Sequence, residues 1–304
     1  MRRTTTILTA VTLLGLSVMA GCSSGGSGSK NGGKTTVVAA FYPLAQAARQ
    51  VGGDAVNVID LTPTGGEPHD LEITPKQVDQ IASADVVLVM GHGFQPAVED
   101  VAKRNHGTAV VLDALPVGAK GKTIDTGLDP HVWLDPTFMH DIVDLVARSL
   151  AHAHPAGAAA YQRNASTFNG VLTGLDLQYR SGLADCARRT IFTSHAAFGW
   201  LAKRYRLQQE AIAGVAPDAE PTADRIAKLA DDAKRAGATT IFTEPLVPPV
   251  VAQTLAREAG NLRTIALDPL EALTKSEIAA HDNYVAIMRR NLDTLRTALA
   301  CVRR

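Results

Sequence analysis

Between residues 36 and 112, short apolar runs alternate with stretches of helical periodicity. Segments 36–40, 56–61, 85–90 and 109–112 are rich in Val, Ile and Leu and read as buried strands. Helices are expected from about Pro43 and over 75–82 and 97–103, between those strands. Such alternation predicts a parallel sheet, because returning a strand in the same direction needs a crossover, and crossover helices cover both faces. The rhythm recurs in the second half: strands at 190–192, 208–212, 239–242 and 263–267, and helices at 198–205, 222–235 and 249–259. Thr222 reads as a helix cap and Gly237 as a stop. A final helix is expected over about 280–300.

A different element separates the halves. Tyr161, Ala165, Phe168, Leu172, Leu175, Tyr179 and Leu183 recur at steps of three and four, which draws an apolar stripe down one helical face. Segment 155–183 therefore reads as one long linking helix of about 40 Å. Gly170 and Gly174 are its only weak points, and two helices broken near Gly170 are the other reading. The fold class expected is α/β, with two lobes, each a mainly parallel sheet flanked by helices, at 35–154 and 184–304.

The first 34 residues belong to neither lobe. Arg2 and Arg3 precede an apolar run at 7–19, which is too short to span a bilayer but suits a signal peptide over 1–21. Small residues ahead of Cys22 form a lipobox-like signal, with a Gly/Ser-rich tether over 22–34. Cys22 is then the lipidation site, which predicts a protein anchored on the outer face of a bacterial cell membrane. A secretory signal with an incidental cysteine is the other reading. Thirty basic residues balance 30 acidic ones, and nothing argues for nucleic acid. Cys186 and Cys301 remain, and outside the cytoplasm they suit a disulfide, against the alternative of two buried thiols.

The histidines fall in a pattern on this map. His69 follows the second strand of the first lobe, His131 the fourth, and His195 the first strand of the second lobe. Asp268 follows the last strand. Ligands of open α/β sheets bind at that carboxyl edge. If the two edges face each other, three imidazoles and a carboxylate meet in one cleft. That donor set suits tetrahedral Zn²⁺ better than Mn²⁺, which prefers more oxygen. Asp129, Asp135 and Asp268 each precede proline; Asp135 reads as a helix cap, and Asp268 is ambiguous on local sequence. Glu67, His92 and Glu244 are expected at the rim or behind the ligands, Glu244 as a carboxylate that orients an imidazole. His106, His140, His152, His154 and His281 read as surface residues, with His281 opening the last helix.

In this order, "PTGGEPHDLEITP", "DPHVWLDP", "SHAAFGWLAKRY" and "ALDPLEAL" resemble the zinc/manganese-type solute-binding lipoproteins of bacterial ABC importers. The resemblance runs from about Thr35 to the C-terminus. It implies two α/β lobes joined by a long helix, a metal in the cleft between them, and His69, His131, His195 and Asp268 as its ligands. A histidine at the third position favours zinc over manganese. The stretch before His131 lacks the histidine cluster found in many zinc-type relatives. The resemblance further implies a monomeric, non-enzymatic carrier that hands Zn²⁺ to an ABC permease, with a metallochaperone as a further partner. A manganese carrier or a metal-dependent adhesin is the alternative. A zinc hydrolase is disfavoured, because a filled fourth ligand position leaves no site for an activated water.

Overall fold

A computed structural model describes residues 33–302 apart from 92, 105–109, 114–122, 125–126 and 219. Cys22, His92 and His106 lie outside the described residues. Strands β1 (Thr35–Ala39), β2 (Val56–Asp60), β3 (Val86–Val89) and β4 (Val110–Asp113) form a parallel sheet in the order β2-β1-β3-β4. Central β1 and β3 are buried along their whole length, as expected of strands covered on both faces. Helices α1 (Tyr42–Gly52), α2 (Pro75–Ser83) and α3 (Pro96–Arg104) make the crossovers. Thr74 and Gln77 close a capping box at the start of α2. The order of strands reverses between β1 and β3, and Phe41 and Thr62 lie just beyond the sheet's carboxyl edge there.

The route from β4 to His131 differs from expectation. A small antiparallel pair, β5 (Thr123–Ile124) and β6 (Gly127–Leu128), intervenes, so His131 follows β6 rather than the fourth strand directly. A 3-10 turn at Val132–Leu134 then leads into α4 (Pro136–Ala153). Asp135 caps α4 by accepting from the Thr137 N–H at 2.8 Å.

Helix α5 (Ala158–Gly182) runs unbroken for 25 residues, about 37 Å at 1.5 Å per residue. Its expected stripe is buried from Tyr161 to Tyr179, against α1 and α4 on one side and the C-terminal helix on the other. Gly170 and Gly174 face open space, so they leave no gap in the packing and do not break the helix.

The second half builds parallel ladders from β7 (Thr190–Thr193) with β8 (Gln208–Ala211), and from β9 (Thr240–Thr243) with β10 (Arg263–Ala266). β7 lies beside β9. Helices α6 (Gly199–Arg204), α7 (Ala223–Arg235) and α8 (Val250–Glu258) connect them. The final helix expected over about 280–300 forms over 284–299, and a short helix that was not expected precedes it. Short α9 (Lys275–Ala279) has its own capping box from Thr274 and Glu277, and α10 (Tyr284–Leu299) starts afresh with Asn283 as cap. His281 sits in the turn between them at φ 55°, where a left-handed residue cannot continue a helix. A Cys186–Cys301 disulfide joins the segment after α5 to the end of α10. One core spans both lobes through α4, α5 and α10, and a smaller one fills the space beneath α7 and α8. Among the described residues, no helix is long and apolar enough to cross a membrane.

Candidate metal centre

Four side chains from four separate loops converge between the lobes: His69, His131, His195 and Glu271. Their Nε2 atoms lie 3.4, 3.2 and 3.2 Å from one Glu271 Oε1, and His131 Nε2 lies 3.3 Å from His195 Nε2. A tetrahedral Zn²⁺ with bonds of about 2.0–2.1 Å holds its ligands about 3.3–3.4 Å apart. The spacing of these atoms is therefore that of a tetrahedron's corners around one cation. His131, His195 and Glu271 are fully buried, and His69, at 9% exposure, is the member that solvent touches.

The far side of two imidazoles is fixed by carboxylates. Nδ1 of His131 lies 2.7 Å from Asp129 Oδ1, which also accepts the His131 backbone N–H. Nδ1 of His195 lies 2.6 Å from Glu244 Oε2, and Glu244 Oε1 accepts the His195 N–H. An acceptor at Nδ1 holds a proton there and turns the Nε2 lone pair toward the cluster centre. The two Nε2 atoms lie 3.3 Å apart, close enough to bind one shared cation. His69 has a different support. Its backbone N–H donates to Glu67 Oε1, and its ring meets Phe94 edge-on at 4.6 Å. Phe41 and Trp133 extend this apolar wall behind His131.

The electrostatics follow from the same contacts. Burial opposes ionisation of Glu271, but the three imidazoles outweigh it and hold the carboxyl well below its usual range. Burial also opposes charge on His131 and His195, yet Asp129, Glu244 and Glu271 hold both above the ordinary histidine value. His69, which has less carboxylate around it, is lowered by burial. Burial and the nearby Glu271 push Glu67 up to about 7.

Asp268, expected as the fourth donor, is not a member of the cluster. Its Oδ1 accepts from the Leu270 N–H at 2.7 Å, and its backbone is clamped on both sides by Asn291. Burial and the facing Glu277 carboxyl raise its pKa well above the usual carboxylate range. Glu271 takes the position instead. Between the two, Leu270 adopts φ 57° and turns the chain so that the later acid faces the cleft. No sequence pattern announces a left-handed leucine, and that is why Glu271 was missed. Asp129 was also missed as the partner of His131, although the "DPH" spacing offered a signal, since an aspartate two residues back can accept the histidine's own N–H. Glu244 stands behind His195 as expected, and Glu67 lies at the rim of the site, bonded to the His69 backbone.

Residues 37–298 match the model of the ZnuA family, the periplasmic component A of a zinc-uptake complex. Zinc-binding protein AdcA of Streptococcus pyogenes serotype M18 is 37% identical over 288 residues, covering 87% of this chain and 56% of AdcA. This chain thus spans about half the length of the AdcA proteins that it matches. The high-affinity zinc uptake system protein ZnuA of Bacillus subtilis is 33% identical over 314 residues, with 94% of this chain and 97% of that protein covered. The Zn(II)-bound ZnuA-like domain of Streptococcus pneumoniae AdcA superposes with a TM-score of 0.76 at 33% identity, over 88% of this chain and 99% of the domain.

Proposed function

From the membership of this chain in the ZnuA family, we propose that it captures Zn²⁺ outside the cytoplasm and delivers it to an ABC permease. The observation that carries this reading is the set of separations of 3.2–3.4 Å between three imidazole nitrogens and one carboxylate oxygen. His69, His131, His195 and Glu271 are the ligands. Three nitrogen donors against one carboxylate favour Zn²⁺ over Mn²⁺. The relatives whose names state zinc binding or zinc uptake support the same cargo.

Capture proceeds beside His69, the member of the cluster that solvent touches. Asp129 and Glu244 keep two imidazoles aimed and neutral at Nε2 as the ion enters, and the protons those rings had carried leave. Four protein ligands close the coordination shell, so no position remains for a zinc-bound water to attack a substrate. The role is carriage, not catalysis. Release follows when the lobes shift and Glu271, which belongs to the second lobe, separates from the histidines of the first. The shared core and the single linking helix favour a small shift over a wide opening. Cys22 anchors the protein to the membrane, and the tether through residue 34 supplies its reach.

Isothermal titration with Zn²⁺ and Mn²⁺, together with elemental analysis of purified protein, tests the assignment. One high-affinity Zn²⁺ per chain that Glu271→Ala weakens by at least two orders of magnitude is expected. A preference for Mn²⁺, or zinc binding that survives the removal of Glu271 and His131, would contradict it.

A further inference from the structure

The chain contains two tryptophans, and both reach across the cleft. Trp200, on α6 of the second lobe, donates its indole N–H to the carbonyl of Asp129 in the first lobe at 2.9 Å. Trp133, in the first lobe, donates to the carbonyl of Pro269 in the second at 2.7 Å. Asp129 lies two residues before His131, and Pro269 lies two residues before Glu271. Each lobe thus grips the other lobe's ligand loop, at the same distance along the chain from the ligand.

Resting on the metal-site reading above, we infer that Trp133 and Trp200 are reciprocal latches that set the gap between His131 and Glu271 and thereby the rate at which the metal leaves. They are positioning residues, since neither touches the cluster centre. The latches are themselves held. The Tyr284 hydroxyl on α10 donates to the Trp133 carbonyl at 2.6 Å, and the Trp133 ring packs on Phe41 and Phe94. The Trp200 ring meets Phe138 of α4 edge-on at 5.1 Å, which adds an apolar contact across the lobes. Both indoles are buried, so each bond is short of competing water and each lost bond leaves a carbonyl unpaired. Separating the lobes breaks both bonds together with the contacts of Glu271 with His69 and His131, and this couples metal release to a defined set of donors rather than to general looseness of the cleft.

Trp200→Phe and Trp133→Phe keep an aromatic ring and remove the N–H. In the full chain loaded with Zn²⁺, dissociation into a chromophoric chelator is expected to be roughly five- to tenfold faster for each variant, the effect of about one buried hydrogen bond. In the Co²⁺-substituted protein, the visible bands of a tetrahedral site are expected to lose intensity as Glu271 drifts and further ligands enter. Replacing both tryptophans with benzothienylalanine, which keeps the ring shape and lacks the N–H, is expected to give both changes together, and it covers a Phe variant that does not fold. An unchanged dissociation rate and Co²⁺ spectrum in folded, analogue-substituted protein overturns the latch, whatever happens to thermal stability. Wild-type protein that takes up neither ion overturns the metal-site reading instead.

Discussion

Leu270 is fully buried and holds φ 57°, a conformation that usually costs a bulky residue on the order of 1 kcal/mol or more. The turn it makes exchanges one acid for another: Asp268 is locked into the backbone and Glu271 reaches the imidazoles. Zinc affinity is therefore expected to fall by two to three orders of magnitude in Glu271→Ala, and by less than tenfold in Asp268→Asn, when both are titrated against a competing chelator. Equal losses in the two variants would count against the exchange. The pH dependence has a definite sign. Without metal, Asp129, Glu244 and Glu271 hold His131 and His195 protonated above the usual histidine range. Zinc must displace those protons, so affinity rises with pH, and its loss on acidification begins above the ordinary histidine value of about 6.5. Calorimetry in buffers of different ionisation enthalpy should detect net proton release at neutral pH. Affinity that holds steady down to about pH 5 would remove the three imidazoles from the site.

At the level of elements, α5 shows how far a hydrophobic stripe constrains a structure. The stripe predicts one helix, and one helix forms, because Gly170 and Gly174 fall on its open face, where nothing depends on a side chain. Gly174→Ala is expected to stabilise the protein by about 0.5–1 kcal/mol in chemical denaturation, with zinc affinity unchanged. Near its end, Asp176 of α5 takes Arg204 of α6 at 2.8 Å, and Arg204 also reaches Asp135, the cap of α4. The linking helix is thus tied to both lobes by one guanidinium. The short helix α9 ahead of α10 was not legible in the same way. Both sides of the break are helix formers, and what separates them is the cap chemistry of Asn283 and the left-handed turn at His281.

Across the whole molecule, the Cys186–Cys301 disulfide closes a loop of 115 residues at the amino edge of the second lobe's sheet, while the metal cluster lies at the carboxyl edge. Closing so long a loop stabilises by up to about 5 kcal/mol in the chain-entropy description. Replacing both cysteines with serine is expected to lower the unfolding free energy by no more than that and to leave the Zn²⁺ dissociation constant within about threefold of wild type, because the bond and the site lie at opposite ends of β7. Zinc itself acts by mass action. At a free concentration 1,000 times its dissociation constant it should stabilise the fold by about 4 kcal/mol, read as a rise in melting temperature that a chelator reverses.

The periodicities of the chain determined by themselves the parallel strand pairing in both lobes, the linking helix between them and the placement of His69, His131 and His195 past strand ends, since burial of apolar faces leaves few other solutions for such a pattern. Only the tertiary structure decided that Glu271 rather than Asp268 completes the cluster and that the two indoles cross between lobes. Those outcomes depend on single backbone angles and on which groups meet across the cleft. Such contacts join residues from 71 to 202 positions apart, and no local pattern encodes them.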